Sequence, residues 1–230
     1  MEPEILYEDN MLIVCVKPAG MPSQDDHSSA MDMASWLKNH TGKGDGKRPP
    51  YIGVVHRLDR PVGGVMVYAK TPQAARELSR QFAEHTTEKI YMAVLTGKPP
   101  KKEGTLTDWL AKGDGNLSVI VPAGTAGAKE ARLSYRVLRS RYMDGVTWTL
   151  VRIALDTGRR HQIRAQMAHA GAGVYGDRKY DPSGPILPEG DGIGLFAAEL
   201  TFVHPRTRKK MTFKARPKQG IFELFPDGQP

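Results

Sequence analysis

Ala131-Arg132-Leu133-Ser134-Tyr135-Arg136-Val137-Leu138 and Val146-Thr147-Trp148-Thr149-Leu150-Val151-Arg152-Ile153-Ala154-Leu155 both read as β-strands, and Met143-Asp144-Gly145 lies between them. An Asp-Gly step between two such runs suits a tight hairpin, so the strands are expected to be antiparallel. Outward from this pair, Met11–Lys17, Gly64–Lys70, Lys89–Leu95, Leu195–Val203 and Lys210–Ala215 also read as strands. Only three helical patterns interrupt them. Met33, Trp36, Leu37 and His40 recur at helical spacing, with Ser28 or Ser29 available as the cap and Gly42 as the stop. Thr71-Pro72 gives a capping threonine and a first-turn proline for a helix running to about His85, with Ala75, Leu78 and Phe82 as its apolar stripe. Arg160–His169 carries Ile163, Met167 and Ala170 at helical spacing and is followed by Gly171. Many strands with few helices between them predict an α+β fold: a mostly antiparallel mixed sheet with flanking helices, in a single domain over residues 1–230.

Composition narrows the function classes. A chain of 230 residues is long enough for a core that needs no staple, and its one cysteine, Cys15, rules out a disulfide framework. Cys15 lies in the apolar run Met11–Val16, where core packing is its expected role. No apolar stretch approaches the ~20 residues that span a bilayer, and the acidic opening Met1–Glu4 does not resemble a signal; the chain reads as a soluble cytoplasmic protein. The net charge of +8 points to an acidic partner. Arginines dominate the basic residues between Arg132 and Arg164, and guanidinium favours planar contacts with phosphate or carboxylate.

Two loops attract attention. Gly42–Arg48 superficially resembles a phosphate loop, but the glycine spacing is too short and Arg48 stands where a hydroxyl should hold magnesium, so it reads as a flexible basic surface loop. Val174–Asp191 is rich in glycine, proline and charge and reads as a long loop.

The richest chemical signal is His56-Arg57-Leu58-Asp59-Arg60, which sets one carboxylate between two guanidiniums in an apolar setting. Such a group is either a structural ion pair or a carboxylate held ionised for chemistry on a polyanion. His56, His161 and His169 form no metal signature, and no HExxH or CxxC pattern is present, so neither a metal nor a cofactor is expected.

Several collinear motifs resemble the RluA-type family of RNA pseudouridine synthases. They are Leu6–Asn10 through Lys17-Pro18-Ala19-Gly20, His56–Arg60 with Gly64–Thr71, Lys89–Val94, Thr157–Arg164, Tyr175-Gly176-Asp177 and Phe202–Pro205. The resemblance spans nearly the whole chain and implies a minimal catalytic domain without an S4-like module. Three positions depart from the family pattern. Val62-Gly63-Gly64 replaces a common Thr-Ser-Gly, Phe196-Ala197 a common His-Ala, and Gln166 a frequent histidine; these bear on RNA contacts and substrate choice.

The resemblance implies that uridine in structured rRNA or tRNA is isomerised to pseudouridine. Asp59 would be the catalytic carboxylate, either attacking C1′ or taking the C2′ proton. Arg164 would be its basic partner, against the alternative of a surface helix arginine. Tyr91 would stack beneath the base, against the alternative of a core tyrosine. Arg57 would fill the gap left by the extracted base, Arg60 would contact phosphate or simply neutralise Asp59, and Arg159, Arg160 and His161 would contact phosphate by opening a helix. The competing readings are a noncatalytic RNA-binding or RNA-folding protein and a nucleoside glycosylase; RNA is the expected partner of the first two readings, and no membrane is involved. The sequence shows no second acid at a spacing that would support the glycosylase.

Overall fold

The computed structural model describes residues 2–42, 49–182, 184, 187, 192–218 and 220–226. In chain order the elements are β1 (Glu4–Glu8), β2 (Leu12–Lys17), α1 (Met33–His40), β3 (Gly53–Val54), β4 (Gly63–Ala69), α2 (Pro72–Ala83), β5 (Glu88–Thr96) and β6 (Glu103–Lys112). There follow β7 (Ser118–Val121), β8 (Lys129–Met143), β9 (Val146–Leu155), α3 (Gln162–His169), β10 (Leu195–Val203) and β11 (Lys210–Lys214). Short 3-10 turns occupy Asp114–Asn116 and Gly220–Leu224. The pairings β1–β2, β2–β4, β3–β4, β10–β11, β5–β9, β6–β7, β6–β8 and β8–β9 are antiparallel, which bears out the expected α+β class. The chain divides into two compact units, residues 1–88 with 197–216, and residues 89–196 with 217–230.

In the first unit the strand order is β1, β2, β4, β10, with β11 added to β10 and β3 to β4. The aliphatic runs of β2 and β4 pair from Leu12 with Ala69 to Lys17 with Gly64, and every residue of β4 is buried. Cys15 is buried in β2, as expected of a packing residue. Helix α2 starts where Thr71 and Pro72 place it: the Thr71 hydroxyl accepts the Ala74 N–H at 3.1 Å. Its inner face buries Ala74 and Leu78 against Val65, Val67, Leu200 and Phe202. Burying a side chain of Leu78's size contributes about 1.5 to 3 kcal/mol. Gln81, absent from the predicted stripe, is also buried, because its amide clamps the end of β10 through Val203 O and Val203 N, both at 2.8 Å. Helix α1 starts at Met33, three or four residues after the start that a Ser28 or Ser29 cap implies, because its cap is Asp32, whose carboxylate accepts the Ser35 N–H at 3.1 Å. Neither Ser28 nor Ser29 caps it; a carboxylate directly before the first turn satisfies the free amide instead.

In the second unit the order is β5, β9, β8, β6, β7. Asp144 and Gly145 have φ of 53° and 80°, the two left-handed residues that a two-residue hairpin turn demands. Strands β6 and β7 went unrecognised in the sequence. Helix α3 begins at Gln162 rather than Arg160, because His161 adopts a left-handed conformation with φ 51° and ends the preceding turn. Gln162 through Met167 are all buried, so α3 is an interior helix, packed against β6 and β7.

Of the predicted Gly42–Arg48 loop, residues 43–48 lie outside the described residues, as do 183, 185, 186 and 188–191 of the predicted Val174–Asp191 loop. The start of the latter is tied to β5: Val174 bridges Leu95, and Tyr175 N donates to Val94 O at 2.9 Å. Among the described residues no helix is long and apolar enough to cross a membrane.

Candidate active site

Asp59, Arg57 and Arg60 lie in the first unit, on the turn between β3 and β4. The peptide groups around Asp59 are fixed from the Lys17–Ser23 segment. Ser23 Oγ donates to Leu58 O at 2.8 Å and accepts Leu58 N at 3.1 Å. Gly20 N donates to Arg60 O at 2.8 Å, and Lys17 Nζ donates to Pro18 O (2.9 Å), Met21 O (2.7 Å) and Arg60 O (3.2 Å). Val62 N closes the turn on Asp59 O at 2.9 Å. The Leu58 side chain is buried and Asp59 is half-buried, on a backbone held from both sides.

Arg57 is exposed, and Arg60 directs Nε to Gly20 O at 3.0 Å with Nη1 3.6 Å from Asp26. His56 accepts the Val67 N–H on Nε2 at 3.0 Å and stacks on Phe82 with centroids 4.4 Å apart, so it is bound into the fold. Gly64 has φ of 130°, and a Cβ there would stand 2.3 Å from Ala197 O; only glycine allows this approach.

Lys17 is fully buried, and burial pulls its ammonium down to about 7, with the Asp59 charge working upward against it and Arg60 working downward. The opening Lys-Pro-Ala-Gly motif thus meets the His56–Arg60 motif in space. The link joins residues 43 positions apart, which no local pattern in the sequence announces.

Tyr91, Arg159, Arg160, His161 and Arg164 lie in the second unit. Tyr91 stands on β5 opposite Ile153, which is opposite Tyr135 on β8. By strand alternation this is the sheet face that carries Leu133, Ala131 and Asp108, where α3 rests through Gln166. Tyr91 and α3 therefore share one face of the second unit's sheet.

Arg164 is buried. Its Nε donates to Asp177 Oδ2 at 2.6 Å and its Nη2 to Asp177 Oδ1 at 2.7 Å, with side-chain exposures of 4% and 1%. The guanidinium also lies over the Tyr180 ring, 5.3 Å from its centroid. Tyr180 is itself fixed: its hydroxyl accepts Ser118 N at 2.8 Å and is hydrogen-bonded to His161 Nδ1 at 2.8 Å. Burial, the largest influence, raises the Tyr180 phenol above its ordinary range. A surface arginine is excluded; Asp177 and Tyr180, neither of them an expected site residue, hold Arg164 in place. Asp177 belongs to the Tyr175-Gly176-Asp177 motif, the one local signal for it in the sequence.

The turn before α3 is also braced. Gln162 Oε1 accepts the Thr157 hydroxyl at 2.7 Å and Arg159 N at 2.9 Å, while its Nε2 donates to Arg132 O at 3.1 Å. Arg159 Nε donates to Glu130 O at 2.9 Å; Arg160 is exposed and His161 is buried. Gln166, expected to bear on RNA contacts, is fully buried and donates to Asp108 Oδ2 (2.7 Å) and Ala131 O (3.2 Å), which ties α3 to β6 and β8. Among the described residues no cluster of three or more His, Cys, Asp or Glu is placed to hold a metal ion.

The RNA pseudouridylate synthase family model matches residues 11–169. An uncharacterized RNA pseudouridine synthase of Synechocystis is 33% identical over 209 residues, covering 88% of this chain, which spans only 62% of that relative's length. Ribosomal large subunit pseudouridine synthase D of Zymomonas mobilis is 32% identical over 96% of this chain and 71% of its own. tRNA pseudouridine synthase C of Haemophilus ducreyi is 32% identical over 98% of this chain and 95% of its own. Among solved structures, the human RNA pseudouridylate synthase domain containing 4 protein shares the fold with a TM-score of 0.73 at 22% identity, over 94% of this chain and 89% of that one. The family match takes in both the turn that carries Asp59 and the helix that carries Arg164, and on that extent of agreement the chain belongs to the RNA pseudouridylate synthase family.

Proposed function

We propose that this protein isomerises specific uridines of structured rRNA or tRNA to pseudouridine, with Asp59 as the catalytic carboxylate. The observation that carries the reading is the turn around Asp59, whose peptide groups are fixed by Lys17, Gly20 and Ser23. Preorganisation of this kind is what a reacting group needs and a solvated surface acid lacks.

In the reaction the C1′–N1 bond of uridine breaks, the base turns while held, C1′ bonds to C5, and the C5 proton passes to N1 or solvent. No redox change occurs. Asp59 either forms a transient bond to C1′ or removes and returns the C2′ proton. Tyr91 stacks on the base from the face it shares with α3. Arg164, held rigid by Asp177 and Tyr180, supplies a fixed positive charge to the reacting groups. Arg57, exposed beside Asp59, fills the space left in the RNA stack, and Arg60, Arg159 and Arg160 contact phosphate. His161, expected to contact phosphate, is buried with Nδ1 on the Tyr180 hydroxyl and acts through that bond.

The test is incubation with unmodified tRNA and rRNA transcripts, followed by carbodiimide labelling and primer extension. Stops at discrete uridines support the proposal. Transcripts that bind the protein yet show no stop favour a noncatalytic RNA-binding protein.

A further inference from the structure

Lys89 is used by no step above, yet its setting is unusual for a lysine. Ile90 pairs with Ala154 and Tyr91 with Ile153; Lys89 lies one position before Ile90 on β5 and, by alternation, on the same sheet face as Tyr91. Its Nζ lies on the open side of Gly158, where a Cβ built on the glycine would be 3.8 Å from the nitrogen. Among the described residues Lys89 makes no ion pair and no side-chain hydrogen bond, although an ammonium carries three donors. The charges that act on it are opposed, Asp156 favouring the ammonium and Arg159 disfavouring it, and burial outweighs both in lowering its pKa. Asp156 is shared with Arg132 at 3.3 Å. The turn that carries Gly158 and Arg159 is braced by Gln162.

We propose that Lys89, Gly158 and Arg159 form a phosphate subsite for the RNA strand, beside the base platform of Tyr91. This inference rests on the proposed RNA substrate and deepens it. A phosphate supplies the acceptors and the negative charge that this partly desolvated ammonium lacks, and Gly158 leaves space for it to approach the backbone. Residues two apart on a strand are separated by about 6.5 Å, a separation that suits a nucleotide with its base on Tyr91 and its phosphate at Lys89. Lys89 opens the Lys-Ile-Tyr segment, so one short strand positions both contacts.

The experiment measures binding of unmodified tRNA by fluorescence anisotropy between 50 and 200 mM salt for the wild type, Lys89→Met and Lys89→Arg, together with thermal unfolding. The subsite predicts that Lys89→Met weakens binding about tenfold and lowers the magnitude of the salt slope by about one, that Lys89→Arg restores most of both, and that neither unfolds earlier than the wild type. An unchanged slope in Lys89→Met overturns the subsite, as does early unfolding with unchanged binding, which marks Lys89 as structural. Binding needs no turnover, so the two proposals separate. Pseudouridine formation with an unchanged slope removes the subsite alone, whereas a reduced slope without pseudouridine removes the catalytic reading alone.

Discussion

Arg164 and Asp177 form a bidentate ion pair with both side chains out of water, Nε to Oδ2 at 2.6 Å and Nη2 to Oδ1 at 2.7 Å. The pair costs desolvation on both sides and is repaid only by its geometry, so removing one partner is worse than having neither. Asp177 also accepts Lys179 N at 3.2 Å, which ties the turn after Tyr175 to the same carboxylate.

Asp177→Ala should therefore lose about 3 to 5 kcal/mol in urea unfolding, because a buried guanidinium loses both charge-assisted hydrogen bonds of the pair. Arg164→Lys keeps the charge but not the planar fork, and should lose turnover by more than tenfold with a smaller loss of stability. An Asp177→Ala protein as stable as the wild type would show that the pair does not hold the helix.

Tyr91→Phe keeps the ring and its stacking surface while deleting the hydroxyl. RNA affinity should stay within about threefold of wild type, and the rate of pseudouridine formation should fall if the hydroxyl assists the C5 proton. Tyr91→Ala should lose about 1 to 3 kcal/mol of binding. Equal affinity in all three proteins would remove the stacking role.

Lys17 gives a pH signature. Its folded pKa is lowered from 10.5 to about 7, chiefly by burial. Between these values the unfolded chain holds the proton and the folded chain does not, so the contribution is fully present above the unfolded value and is lost as pH falls toward the folded one. Relative to Lys17→Met, the wild type should gain about 2 to 3 kcal/mol of unfolding free energy between pH 6 and pH 9. The difference also cancels Cys15, whose burial pushes its thiol up to about 12 and works in the opposite direction at high pH. A flat difference would mean that the three carbonyls around Nζ and the charge of Asp59 keep the ammonium protonated throughout.

The parts of the fold legible in the sequence are those whose signal is local. Leu12–Lys17 and Val146–Leu155 are apolar or β-branched runs, the Asp144-Gly145 turn sets its own hairpin, and Thr71-Pro72 marks the start of α2 within one residue. Strand β6 escaped because Asp108 occupies an inward position between Leu106 and Leu110 and breaks the apolar alternation, its carboxylate being satisfied by Gln166 from α3. Helix α3 was read as one apolar stripe because the partners that allow Arg164 and Gln166 to be buried lie far away, Asp177 being 13 residues later and Ala131 35 residues earlier. The same limit applies to the site. The His56–Arg60 motif named Asp59, but the brace from Lys17 and Ser23 and the anchor at Asp177 are long-range contacts that appear only once the chain is folded.

The central claim is that Asp59 carries out the isomerisation, and release of tritium from RNA labelled at uridine C5 tests it most directly. Wild type should release tritium with no free uracil, and Asp59→Ala, folded and still binding RNA, should release none above background. Release by Asp59→Ala at the wild-type rate would contradict the assignment.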